Sequence, residues 1–498
     1  MKVLLVYPEY PVTFGSFKYA LKFISKKADS PPLGLLTVAA MLPKNWEKKL
    51  VDMNVTSLHD NDIEGADLVF ISAMDLQKKS VLEVISLCKK LDVKIVAGGP
   101  LFTTRHEEFE DVDYFVLNEA ENTLPLFLND LSNGCTKNIY TDTGFPELEN
   151  TPVPLWELVD MKEYFSMNIQ YSRGCPFDCE FCEIINLFGN NVRTKKRDQV
   201  ITELESLYSI GWRGRVFFID DNFLGNRRKL KSEILPGILE WMVSKKYPFS
   251  FMTQITIDIA DDEELMGLMV NTGFDTVFVG IETPHEGSLL ECNKIQNIKR
   301  DLLACVHKIQ NFGLNIFGGF IVGFDSDPES IFEEQIEFIQ NSGIVAAYVG
   351  LLNVPHGTKL YHRLLSENRF LKEGSGDTSD LSINFIPKMS NEKLINGYKR
   401  IIREIYSPKP FYARIKRFSK TYKPMPKSKL KKISSISYFT YLVVFLKSIW
   451  VLGVIDKARV HFWKLMLWSF FCRPQFSQLA LVFVLQGFHF RKVFKDYL

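Results

Sequence analysis

The sequence is poor in cysteine, with only 8 in 498 residues, too few for the disulfide framework of a small secreted scaffold. It lacks a clean 18-residue apolar run, which disfavours a membrane-spanning helix. The opening "MKVLLVYPEYP" has no charged n-region, apolar stretch and small-residue cleavage site, so it reads as a first strand and not as a secretory signal. Acidic residues are scarce at one end only: from Phe411 onward there are 17 Lys/Arg against 2 Asp, a net of +15, while the preceding 410 residues carry −14. With 46% hydrophobic and 24% charged residues the chain is folded, and its length calls for more than one core. Scattered thiols and no leader suit a reducing cytosol.

What is present begins with short Val/Ile/Leu-rich runs at 2–7, 49–55, 67–72, 93–97 and 112–117, with helical periodicity between most of them, as at 78–91. Buried strands alternating with helices predict a doubly wound parallel sheet over 1–140 whose ligands bind at the strand ends. Those ends carry Ser72, Met74, Gly98, Gly99, Pro100, Asn118 and Glu119. Pro146, Pro152 and Pro154 mark 141–165 as a linker. A second series follows over 166–370, with strands at 167–172, 215–219, 249–255, 276–281, 316–322 and 344–350 and helices between them. Six βα units predict a partial, TIM-like (β/α)6 barrel with its chemistry at the strand ends. A polar stretch, Gly374 to Asp380, opens a connecting segment (371–410). The remainder, 411–498, is a basic loop ("KPMPKSKLKKIS") followed by aromatic-rich segments interrupted by Lys or His, predicted to be helical.

Three cysteines crowd into "YSRGCPFDCEFC": Cys175, Cys179 and Cys182, spaced C-x3-C-x2-C directly after the first barrel strand. Buried thiols are one reading. A structural zinc site is a second, but it wants four protein ligands, usually in two pairs. A [4Fe–4S] cluster is the third: with three thiolates, one iron stays open for a substrate or cofactor.

The spacing and its position resemble the radical S-adenosylmethionine (SAM) superfamily, in which the open iron binds SAM and the reduced cluster cleaves it to a 5′-deoxyadenosyl radical. The resemblance implies SAM contacts at Asp220, Asp221 and Asn222 ("FFIDDNF"), Gln254, Glu282 ("VGIETP"), and Gly319, Ile321 and Gly323 ("GGFIVGFD"). For the acids the plain alternative is a helix N-cap after a strand. Together with "VAGGPLFTT" and "GLLNVPHGTKLY", these stretches resemble the cobalamin-binding (class B) radical SAM enzymes, and within them the subfamily of the hopanoid C-2 methylases. Cobalamin contacts are then expected at the strand ends of the first domain named above. The chain departs from the wider cobalamin pattern: D-x-H-x-x-G is missing, and the only histidines before the linker, His59 and His106, do not follow the first strand. Cobalt is not expected to take a histidine from below.

The resemblance implies radical C-methylation of a lipid-like substrate, a hopanoid or another isoprenoid; the barrel supplies Tyr348, Asn353 and His356 as candidates to face it. An electron donor such as flavodoxin or ferredoxin is implied too. Cyclisation, coupling or rearrangement without methylation is the alternative within this chemistry. A non-catalytic Fe–S protein binding nucleic acid is the alternative outside it. For the tail, Lys/Arg among aromatics fits the bilayer interface better than nucleic acid, with Trp450, Trp463 and Trp468 as interfacial anchors. The location expected is the cytoplasm, peripheral on the inner face of the cytoplasmic membrane.

Overall fold

The computed structural model describes residues 1–377, 380–423 and 438–495. Most of the expected basic loop therefore lies outside the described residues, as do Thr378 and Ser379.

Two six-stranded parallel sheets carry the chain. The first contains β1 (Lys2–Tyr7), β2 (Glu47–Asp52), β3 (Leu68–Ser72), β4 (Lys94–Gly98), β5 (Tyr114–Val116) and β6 (Ile139–Tyr140), in the order β2-β1-β3-β4-β5-β6. The chain reverses direction across the sheet between β1 and β3, the place where such sheets open a crevice for a ligand. β2 starts and stops earlier than its apolar run suggested. The Asp52 carboxylate accepts both the Asn54 backbone N–H (2.9 Å) and side-chain amide (2.8 Å), and this local turn ends the strand. The stretch 141–165 is no free linker: Trp156 is buried, and the Leu155 N–H bonds the Leu36 carbonyl at 3.0 Å.

The second sheet runs β7 (Ser166–Ile169), β10 (Arg215–Phe218), β11 (Ser250–Ile255), β12 (Phe274–Glu282), β13 (Asn315–Val322) and β14 (Ala346–Leu351) in strict sequence, each pair parallel. Between β7 and β10 lies a small antiparallel pair, β8 (Ser172–Arg173) with β9 (Arg193–Thr194). The edge strands β7 and β14 do not meet, so the barrel is open on one side. One set of alternate residues, such as Met167, Val216, Phe251, Val277 and Ile316, is fully buried under the helices. The opposite set, including Phe217, Met252, Phe278 and Tyr348, is only half-buried. A closed barrel fills this space with side chains of its strands; here the inner face is lined largely by aromatic and aliphatic side chains.

The gap is closed by the segment 13–31, which sequence periodicity did not single out. Ser166 N–H bonds the Asp29 carbonyl (2.7 Å), and the Asn168 amide bonds Ser30 Oγ (2.9 Å) and the Pro31 carbonyl (3.2 Å). On the other side, Phe14 and Phe17 stack edge-on against Tyr348 of β14, with centroids 5.0 and 6.4 Å apart.

The C-terminal region does not begin at 411. Helix Asn391–Tyr406 leads directly into helix Pro408–Thr421, and both pack on the outside of the barrel. Helix Ser477–Val493, expected to be interfacial, is instead part of the core: Phe483, Val484 and Phe490 are fully buried and Phe490 contacts Tyr348. Its apolar face is real, and the surface it covers is the barrel. Among the described residues no helix is long and apolar enough to cross a membrane.

Candidate active site

The three thiols lie in the loop that β8 and β9 pinch at its base. Gly174, at φ +88°, precedes Cys175 where a Cβ would meet the carbonyl oxygens of Gly189, Asn191 and Phe188 at 2.9, 3.0 and 3.1 Å; only glycine fits. The turn is tightened by Cys175 N–H to the Gly189 carbonyl (3.3 Å) and Cys182 N–H to the Cys179 carbonyl (3.1 Å). Burial pushes all three thiols up, Cys182 to about 12, while the Lys294 ammonium pulls each the other way. Among the described residues no three His, Cys, Asp or Glu side chains are grouped as a single-ion site needs. A cubane takes one thiolate per iron and distributes its ligands more widely. Two side-chain amides already face the sulfurs, Asn222 Nδ2 at 3.9 Å from Cys175 Sγ and Gln296 Nε2 at 3.8 Å from Cys179 Sγ. This donor set fits a cluster and not zinc.

The strand-end residues divide by role. Asp220 is fully buried, and both of its oxygens are taken by the loop: it accepts the Tyr171 N–H at 3.2 Å, the Ser172 hydroxyl at 2.6 Å and the Ser172 N–H. It pins the start of the cluster loop; burial pushes its carboxyl up to about 7. Its oxygens are thus committed to the loop. Asn222 caps the following turn through Leu224 N–H (3.2 Å) while reaching toward Cys175. Asp221 bonds the Gly174 N–H with one oxygen (3.1 Å) and stays partly open, its carboxyl raised to about 6, chiefly by burial. Gln254, at the end of β11, is half-buried on the lumen side. Glu282 ends β12 at φ +63°, a left-handed conformation unusual for a non-glycine, beside a register shift with β13. Such local strain is a mark of functional sites. A buried Lys294 ammonium holds its carboxylate at 2.6 Å. On β13, a Cβ at Gly319 would meet the Phe278 ring at 3.0 Å; Gly323, just past the strand, takes φ +115°, and Ile321 is half-buried between them.

The first domain presents its strand ends to this loop. Ser72, Met74, Gly98, Gly99, Pro100 and Asn118 all lie at the carboxyl edge of β3–β5. A side chain at Gly98 would strike the Val116 carbonyl at 2.7 Å, and one at Gly99 the Ser72 hydroxyl at 2.5 Å. This leaves bare backbone at the ledge, as close approach of a planar cofactor requires. Glu119 is already engaged: Arg173 Nη1 donates to it at 2.6 Å and Arg193 Nη1 at 2.9 Å, while Arg173 also bonds Glu121 at 3.0 and 2.8 Å. This buried charge cluster joins the first domain to the loop's base. Beside it, Glu183, next to Cys182, is raised to about 7 by burial and then by Asp75 beyond β3. Ledge and cluster loop thus face one another. His59 precedes helix Asp60–Glu64 and is exposed, and His106 packs on Phe115 (5.5 Å); neither reaches the ledge.

The three residues expected to face substrate separate. Tyr348 stands in the lumen among Phe14, Phe17, Phe278, Phe317 and Phe490. Asn353 and His356 lie in the loop after β14, His356 Nδ1 2.9 Å from Glu373, and Asn353 with a buried side-chain oxygen that has no hydrogen-bond partner among the described residues. Sequence reasoning missed Lys294 and Gln296, Arg173 and Arg193, and His489. Only the two arginines, flanking the cysteine loop, carried a local signal.

Comparison with known proteins agrees with this geometry. Residues 23–128 match the family described as "B12 binding domain", 169–339 the "Radical SAM superfamily", and 358–498 a domain of unknown function, DUF4070. An uncharacterised methyltransferase of Synechocystis sp. is 39% identical over 93% of this chain and 86% of its own length. The hopanoid C-2 methylase of Rhodopseudomonas palustris is 29% identical over 97% and 92%. Among solved structures, the cobalamin-dependent SAM radical enzyme OxsB has the same fold (TM-score 0.63, 15% identity, 99% of this chain and 80% of that one). So does the radical SAM methyltransferase TsrM of Kitasatospora setae (0.58, 16%, 75% and 76%). The two domain families assign the cofactors: a [4Fe–4S] cluster, SAM and cobalamin. The chain belongs to the cobalamin-binding radical SAM methyltransferases, in the group that resembles the hopanoid C-2 methylases.

Proposed function

We propose that this enzyme methylates an unactivated carbon of a large apolar substrate, a hopanoid or another isoprenoid, at a membrane surface. The carrying observation is that the cobalamin ledge and the cluster loop face one another over an aromatic lumen. Bound there, the cofactors supply a carbon radical on the substrate and a methyl group to quench it. Phe217, Met252, Phe278 and Tyr348 offer no charge to a substrate, so shape and apolar burial select it. The likeness to a hopanoid C-2 methylase supports the same class. Asp221, Gln254 and Glu282 orient SAM, and the reductant is a small electron carrier of the flavodoxin or ferredoxin kind.

The membrane reading rests on the stretch from helix Tyr438–Ser448 through the π-helical turn Ile449–Ile455 to helix Arg459–Cys472. Trp450 (63% exposed), Ile455, Val460, Leu467, Phe470 and Phe471 (84%) stand out in solvent. Lys447, Lys457, Arg459, Lys464 and Arg473 accompany them, and the one acid of this stretch, Asp456, lies 3.5 Å from Arg491. Aromatics with a basic rim fit anionic headgroups. Trp463 is less exposed, and Trp468 is partly covered by Lys416.

Anaerobically reconstituted enzyme incubated with SAM, a strong reductant and bacterial hopanoid extract tests the reading. Equal amounts of S-adenosylhomocysteine and 5′-deoxyadenosine with a lipid heavier by one methylene are expected. 5′-Deoxyadenosine without S-adenosylhomocysteine would favour cyclisation, coupling or rearrangement instead.

A further inference from the structure

The segment Cys292–Asn297 follows the short helix after β12 and runs alongside the cysteine loop, though more than a hundred residues separate them. The Glu180 N–H bonds the Cys292 carbonyl (3.0 Å), and the Asn293 amide bonds the Asp178 carbonyl (2.8 Å). The Asn297 amide bonds the carbonyls of Gly280 (3.1 Å) and Ile281 (3.0 Å), tying the far end of the segment to β12. Held at both ends, the segment directs Lys294 and Gln296 inward; they are 8% and 6% exposed. Gln296 Nε2 faces Cys179 Sγ at 3.8 Å, while its Oε1 is buried with no hydrogen-bond partner among the described residues. A buried amide that leaves its oxygen unpaired while its nitrogen meets a sulfur is positioned for the sulfur. Lys294 is held by Glu282 at 2.6 Å. It lies two residues before Gln296 on the same anchored segment, so the cation is fixed on the side of the segment's anchors to the cysteine loop.

We propose that Cys292–Asn297 is an outer cradle of the cluster, in which Gln296 donates a hydrogen bond to the Cys179 thiolate and Lys294 holds a fixed cation beside the cysteines. Together they raise the cluster's reduction potential. The inference rests on the cluster assignment above. One-electron reduction adds negative charge to the cluster and its thiolates. A donor to sulfur and a nearby cation stabilise that charge more than they stabilise the oxidised form. Both are positioning residues that act through the cluster.

The test is an EPR-monitored redox titration of the anaerobically reconstituted full chain, without SAM, for wild type, Q296L, Q296E, K294M and K294R. Iron content and the EPR signal of the reduced cluster report separately whether the cluster is present, so a failed cluster assignment shows in the wild type. With iron content unchanged, Q296L should move the midpoint to more negative potential and Q296E further in the same direction. K294M should also lower it, and K294R should restore it. Midpoints equal to wild type in Q296L and Q296E would overturn the proposal. Loss of iron from both would also overturn it, making Gln296 a structural residue. If one variant alone loses iron, the midpoint of the other decides.

Discussion

Replacing Glu119 by alanine tests whether the first domain and the cysteine loop are one mechanical unit. The Glu119 side chain is 3% exposed; it accepts hydrogen bonds from Arg173 (2.6 Å) and Arg193 (2.9 Å), with a further ion contact to Arg193 at 2.7 Å. Removing one partner from a buried charge pair costs about 3–5 kcal/mol, because the other charge is left desolvated. Here both arginines keep acceptors: Arg173 has Glu121 and Gln170 (2.8 Å), and Arg193 has the carbonyls of Pro146 (2.8 Å) and Phe188 (3.0 Å). The lower end, about 3 kcal/mol, applies. It corresponds to roughly a hundredfold rise in the opening equilibrium of the contact. E119Q keeps an acceptor, and about half that cost is expected. Native-state hydrogen exchange should show amides of 173–195 exchanging about a hundredfold faster in E119A. Amides of β3 and β4, away from the contact, should hardly change. A change of less than about threefold at 173–195, or an equal change throughout the first sheet, would refute the coupling.

Other consequences are as direct. C179A should lose the cluster's visible absorption and all SAM cleavage; undiminished 5′-deoxyadenosine formation would refute the ligand assignment. His489 is fully buried, its Nε2 donating to the carbonyls of Thr13 (3.1 Å) and Phe14 (3.0 Å) while Nδ1 accepts the Tyr19 N–H (3.4 Å). Burial lowers its pKa from 6.5 to about 4. A base with a depressed folded pKa stabilises above its unfolded value, so this contribution is present above about pH 6.5 and is lost as pH falls toward 4. The ceiling is about 3 kcal/mol, and urea midpoints of H489N should be lower at pH 7.5 and flatter between 6.5 and 4. Finally, W450S/F471S should weaken cosedimentation with phosphatidylglycerol vesicles at least tenfold, and added salt should weaken wild type. Equal binding by the variant would remove this face from the membrane reading.

Much of this architecture was legible because parallel strands are buried on both faces and appear as runs such as "KVLLVY" and "TVFVGI". The cysteine loop was legible because its ligands are local in sequence. What escaped was set by approach from a distance. Gln296 reaches Cys179 from another βα unit, and His489 meets residues 13–19 from the opposite end of the chain; no periodicity encodes either contact. Asp220 and Asp221 are adjacent carboxylates that a motif cannot tell apart. Pleat decides: one turns under the loop and is consumed by its N–H groups, the other stays partly open. The C-terminal helices were read by composition alone. Composition shows an apolar face without saying whether a barrel or a bilayer covers it.

The structure covers some of these faces and leaves others exposed. Helix Ser477–Val493 buries its apolar side against β14 and the segment 13–31, whereas Arg459–Cys472 leaves Leu467, Phe470 and Phe471 uncovered. The two pack on each other, so the exposed face is rigidly linked to the helix that backs the barrel's open side. That side is closed not by strands but by the aromatics Phe14 and Phe17, from a segment holding two non-glycine residues at positive φ, Phe17 (+47°) and Ser25 (+56°). Strands joined by a full ladder of hydrogen bonds could not part to admit a bulky apolar molecule, because each separated backbone group would need a new partner. Side-chain packing can part at lower cost. An open barrel closed by side-chain packing and backed by a C-terminal helix layer can therefore part at that side more cheaply than a closed ladder of strands.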